Sequence, residues 1–159
     1  MLNIKDLKVY QEVFVSSSGL VITKHIKEIF KERQCLRLSP AELDTWHIDF
    51  VYLIKEEAEK EAREYKEKIK NADLFNILIL NTQENNKCRG YSREEIDRDV
   101  PKAVKSGYDF FVNLIDKEFP GKRKEVIFAY ENFQKMGELI GYVDSYYFID
   151  RLKKEIDTK

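Results

Sequence analysis

The sequence predicts an all-α fold, a single-domain helical bundle of roughly five to seven helices with one long central helix. Three observations lead there. Prolines number three and glycines six in 159 residues, so few positions force a turn. Apolar residues recur at spacings of three and four over long stretches. Two capping boxes mark helix starts, Ser39-Pro40-Ala41-Glu42 and Ser92-Arg93-Glu94-Glu95. The first also carries proline where a helix best accepts it, at its opening position.

Residues 1–38 admit two readings. Val9, Gln11, Val13 and Val15 alternate with Tyr10, Glu12 and Phe14, as in a strand, and Ser16-Ser17-Ser18-Gly19 could turn the chain into a second strand over Leu20 to Thr23. Read as helices, Ile4, Leu7, Tyr10 and Phe14 share one face, and Ile22, Ile26, Ile29 and Phe30 share another. Helices are the favoured expectation, with a small N-terminal β-hairpin as the alternative. Residues 39–71 are expected to form the long helix, its inner face drawn by Leu43, Trp46, Phe50, Ile54, Ala58, Tyr65 and Ile69. Leu74 to Leu80 is a short helix or a buried strand, and Asn81 to Tyr91 reads as an exposed loop. From Ser92 a stripe of Val100, Val104, Tyr108, Phe111, Ile115 and Phe119 runs to a stop at Pro120-Gly121. Residues 92–156 hold more than half of the aromatic side chains and form the expected dense helical core.

Composition excludes some classes. With 43% hydrophobic and 36% charged residues, the chain is neither disordered nor membrane-spanning, and no apolar run approaches the ~18 residues of a span. A length of 159 residues fits one domain, 1–159. The 28 basic and 29 acidic residues leave a formal charge of −1, which removes the simplest argument for a nucleic-acid binder. Cys35 and Cys88 have no C-x-x-C spacing and read as reduced thiols of a cytoplasmic protein. The first six residues carry no apolar signal-peptide core. His25 and His47 are not spaced with the cysteines as zinc ligands usually are.

Three groups of residues could carry function. The first is tyrosines on the last helix: Tyr142, Tyr146 and Tyr147 cover more than one face, and interfaces favour tyrosine. They support the leading expectation, a non-enzymatic protein-interaction module, a regulator or inhibitor that binds a partner's surface. That partner is another protein or a second copy in a homodimer, with nucleic acid not favoured and no membrane.

The second group is carboxylates on apolar faces. At 100° per residue, Glu57, Glu61 and Glu64 lie on the side of Leu43, Trp46 and Phe50, and Asp144 lies among Tyr130, Phe133, Ile140 and Tyr147. Inward acids on neighbouring helices can hold Mg²⁺ through oxygen ligands. The pair Glu61-x-x-Glu64, followed by Glu94-x-x-Asp97, resembles the ExxE…ExxD arrangement of all-α nucleotide pyrophosphohydrolases, the MazG and dimeric dUTPase group. The resemblance implies Mg²⁺ on Glu61, Glu64, Glu94 and Asp97, and water activated against a nucleoside triphosphate. Glu57, Glu61, Glu64 and Asp144 are then the alternative catalytic set. No cofactor is expected otherwise. The simpler expectation for Glu57 to Glu64 is a solvated helix, with ion pairs Glu56–Lys60 and Glu64–Lys68.

The third group is basic residues beside an aromatic. Lys87, Arg89 and Arg93 flank Tyr91, and Lys122, Arg123 and Lys124 follow the Pro-Gly turn. If merged into one patch, they would suit a single nucleic-acid strand.

Overall fold

The computed structural model of the chain describes residues 2–40, 44–135, 149–150 and 152–154. The architecture is α+β, not all-α: a four-stranded antiparallel sheet is packed with helices. The strands are β1 (Glu12–Ser17), β2 (Leu20–Phe30), β3 (Cys35–Ser39) and β4 (Thr45–His47), paired in chain order. The helices are α1 (Lys55–Asn71), α2 (Leu74–Asn86), α3 (Arg93–Glu118) and α4 (Arg123–Lys135).

The N-terminal third is therefore sheet. Val13 and Val15 bury one face of β1, and Ile26 on β2 lies opposite Leu38 on β3, both buried. β-Branched residues at alternating positions fit a pleated, half-buried surface, and this preference outweighs the helical spacing of Ile22, Ile26, Ile29 and Phe30. The β1–β2 turn is Ser18-Gly19, with positive φ at both residues (50° and 81°). That is the two-residue geometry whose twist matches the flanking strands. Gly19 also lies beneath α1, where a Cβ would come within 2.9 Å of the Lys66 stem.

The expected long helix over 39–71 is corrected too. Ser39 ends β3, Trp46 lies in β4, and Phe50 closes a 3-10 turn over Ile48–Phe50. Helix begins only at Lys55 and runs 17 residues. The spacing of four between Trp46 and Phe50 is met by strand plus turn. The ambiguous segment after Asn71 becomes α2, which extends to Asn86 through most of the expected loop. Asp73 caps α2, its side chain accepting from the Asn76 N–H at 3.0 Å.

Both open flanks of the sheet are covered. Phe14 of β1 and Tyr52 exchange backbone hydrogen bonds of 2.8 and 2.9 Å, and Thr45 of β4 donates to the Cys88 carbonyl at 2.9 Å. The sheet thus curls until the chain leaving β4 returns to β1.

The capping box at Ser92 and Glu95 is present in full, and α3 spans 26 residues, about 39 Å. Its N-terminal half places Ile96, Val100 and Val104 on the core formed with Val15, Ile26 and Leu36. Its C-terminal half places Phe111, Ile115 and Phe119 on a second core with Leu74, Val126 and Tyr130. No described helix is long and apolar enough to cross a membrane.

Candidate functional site

A cleft of about 870 Å³ opens where the N-terminal segment, the connection after β4 and α1 meet. Its walls come from Leu2 to Leu7, from Ile48 to Ile54, from one face of α1, and from Arg93 at the start of α3. α1 reaches the sheet closely because its buried face is only Ala58 and Ala62. Glu57, Lys60, Glu61 and Glu64 of α1 line the cleft. The three acids share one side of α1, but that side is not the apolar face expected. Glu57 and Glu64 are exposed, and Trp46 and Phe50 lie outside the helix, whose buried face is Ala58 and Ala62.

The floor is an ion-pair network. Arg93 donates from Nη2 to Glu61 Oε1 at 2.7 Å, to the Asp49 carbonyl at 3.3 Å and to the Tyr52 hydroxyl at 3.5 Å. Its guanidinium lies 4.5 Å from the Phe50 ring centroid, within cation–π reach. Burial lowers the Arg93 pKa, but the hydrogen bond and charge of Glu61 outweigh it and hold the guanidinium above its ordinary value. Burial, then the charge of Glu61, pushes the Tyr52 hydroxyl up, so it remains protonated.

Behind Glu61 lies Lys87, whose side chain is 5% exposed. Its ammonium stands 2.6 Å from Glu84 Oε1 and 3.6 Å from Glu61 Oε2, and donates to the Ser16 carbonyl at 3.4 Å. Glu84 Oε2 in turn accepts from the Ser18 N–H at 2.8 Å. The network therefore binds the far end of β1 to α1, α2 and α3. Glu61 Oε2 is buried and has no hydrogen bond, so the Lys87 charge is what offsets its burial.

The lip is apolar. Leu53 is 43% and Ile54 54% exposed. Ile54 is also the N-cap of α1 and offers no side-chain hydrogen bond to the first turn, where polar residues are usual. Ile54, expected on the inner face of a long helix, is instead exposed, while Leu53, Asp6 and Asp49, which complete the lining, do not stand out in the sequence.

The remaining candidates are dispersed. Asp97 accepts from Gln83 Nε2 at 3.3 Å, and neither it nor Glu94 lines the cleft. Glu64 lies 4.0 Å from Lys60, and Lys55 3.9 Å from Glu59, so the i,i+4 pairs of α1 differ from those expected. Among the described residues, no three His, Cys, Asp or Glu are grouped to hold a metal ion. With Glu61 engaged by Arg93 and Lys87, the carboxylates named by the pyrophosphohydrolase resemblance do not fit a shared Mg²⁺ there.

The basic candidates do not merge. Lys87 is buried, Arg93 is paired with Glu61, and Arg89 bridges to β4, with Tyr91 exposed beside it. Lys122, Arg123 and Lys124 stand beyond the opposite end of α3, where Arg123 pairs with Asp116. Tyr142, Asp144, Tyr146 and Tyr147 lie outside the described residues.

Both cysteines are free. Cys35 sits opposite His47 across β3–β4, and His47 Nδ1 lies 3.1 Å from Asp49 Oδ2. The constellation has the composition of a nucleophile, base and orienting acid, but not the state. The Cys35 thiol is fully buried and donates to the Arg33 and Gly90 carbonyls at 3.1 and 3.3 Å. Burial pushes its pKa up, the reverse of an activated thiolate.

Comparison with known proteins returns no match to a family model, a curated protein or a solved structure.

Proposed function

We propose that the chain is a non-enzymatic protein-interaction module, and that the cleft between the N-terminal segment, the 48–54 connection and α1 receives a segment of its partner. The observation that carries this reading is the exposed pair Leu53 and Ile54 at the lip of an 870 Å³ cleft. Two large apolar side chains stand in water there, one of them where a helix start favours serine or aspartate. The acids beneath them support binding over chemistry, because Glu61 is neutralised by Arg93 and Lys87.

A photoreactive amino acid at position 54 tests the proposal, with the same group at exposed Lys105 as control. The expected result is one dominant protein adduct from position 54, absent from position 105 and lost when Leu53→Ser is added. Identical adducts from both positions, or none from position 54, would overturn it.

A further inference from the structure

We infer that the partner segment is basic, with one or two large apolar side chains flanked by lysine or arginine. This deepens the proposed function and rests on the cleft being a docking site. Five carboxylates line the cleft, from Asp6, Asp49, Glu57, Glu61 and Glu64, against the two cations Lys60 and Arg93. The excess is local, since the chain as a whole carries only −1.

Internal pairing accounts for part of that set. Glu61 is held by Arg93 and Lys87, Asp49 accepts from the Arg93 N–H at 3.0 Å, and Glu64 is loosely paired with Lys60. Asp6 and Glu57 are exposed and have no ion-pair partner among the described residues. They line the same cleft as Leu53 and Ile54. An acidic segment meets repulsion there, and a neutral one leaves both carboxylates without a counter-charge. Arg93 illustrates the recognition chemistry from within: its cation stacks on the Phe50 ring and pairs with Glu61. A partner cation brought to Glu57 or Asp6 would find a carboxylate of the same kind at the rim.

The test is selection of a displayed random library of peptides about 12 residues long on the whole chain, a length matched to a single bound segment. Enriched peptides are then measured on the wild type, on Leu53→Ser/Ile54→Ser and on Asp6→Asn/Glu57→Gln, with circular dichroism confirming that each variant is folded. The inference expects peptides rich in Lys or Arg around Leu, Ile or Phe. Their affinity should fall about tenfold on Asp6→Asn/Glu57→Gln, and comparably as salt is raised. Peptides that lose affinity on Leu53→Ser/Ile54→Ser but are indifferent to Asp6→Asn/Glu57→Gln would overturn the basic partner and leave the docking cleft standing. No enrichment, or binding indifferent to Leu53→Ser/Ile54→Ser, would overturn both.

Discussion

The two ends of α3 lie in interiors of different chemistry. At its N-terminal end, aliphatic side chains of the sheet meet Ile96, Val100 and Val104, and beside them runs the chain of charges Glu84, Lys87, Glu61 and Arg93. At its C-terminal end, Phe111 and Tyr130 face each other with ring centroids 4.8 Å apart, within a cluster made almost entirely of apolar side chains. The first interior is tied by directional pairs that each need a partner, the second by contacts that need only shape and area. The cleft opens against the first, where Glu61 and Arg93 are already fixed in position by their pairing.

The largest expected effect follows from the buried charges. Lys87→Met leaves Glu84 and Glu61 facing each other without their shared cation and should cost about 3–5 kcal/mol. Urea unfolding of Lys87→Met beside Lys87→Met/Glu84→Gln checks it, the double variant being the less damaged. If both lose the same amount, the charge network does not distinguish this interior.

Next is the mechanical link between the two cores. Ile115→Ala, in the second core and fully buried, should cost about 2–5 kcal/mol. Trp46 is the sole tryptophan and sits in the first core, so its fluorescence reports that end alone. Tryptophan fluorescence and far-ultraviolet circular dichroism should shift together, because α3 belongs to both cores. An unmoved fluorescence curve would show that the ends unfold separately.

A smaller effect concerns Tyr65 on α1, which donates to Asn81 Oδ1 at 2.8 Å. Burial, then the charge of Glu84, pushes its hydroxyl up from 10.0 to about 12. A folded-state pKa above the unfolded one favours the protonated form, so this contribution is complete below pH 10.0 and is lost as pH rises towards about 12. Tyr65→Phe should cost about 0.5–1.5 kcal/mol at neutral pH and flatten the alkaline decline, read by denaturation across pH.

A change of similar size has the opposite sign. Ile54→Ser supplies the missing cap of α1 and should raise stability by about 1 kcal/mol while weakening partner binding. A thermal melt with a binding titration separates the two; a loss of stability would mean that Ile54 serves the fold.

The same contrast governs how much the sequence disclosed. Ser92 with Glu95, and the stop at Pro120-Gly121, are signals confined to a few neighbouring residues, and both bounds of α3 were legible. In the N-terminal third, spacings of three and four overlapped with alternation. Ile4 and Leu7 are buried as a helical stripe would have them, yet Tyr10, assigned to that stripe, is 83% exposed with a φ of 70°. The valines and isoleucines of β1 and β2 carried the stronger clue in their branching. Around the cleft, the acidic face of α1 was legible because it depends on one helix alone. Its counter-charges were not: Arg93 reaches Glu61 from 32 residues away. Lys87 lies in a polar stretch with the composition of a loop, although Leu74, Ile77, Asn81 and Glu84 continue one helical spacing into it.

The covering of the sheet's flanks sets an order of events for synthesis. β1 is sealed by Tyr52, and β4 by Cys88 and Arg89. A nascent chain that has released four strands but not yet residue 89 presents β4 with its outer peptide groups unanswered, the situation that invites neighbouring chains to add themselves. Emergence of the segment behind α2 ends that interval, so Cys88 and Arg89 serve as a latch for the sheet edge.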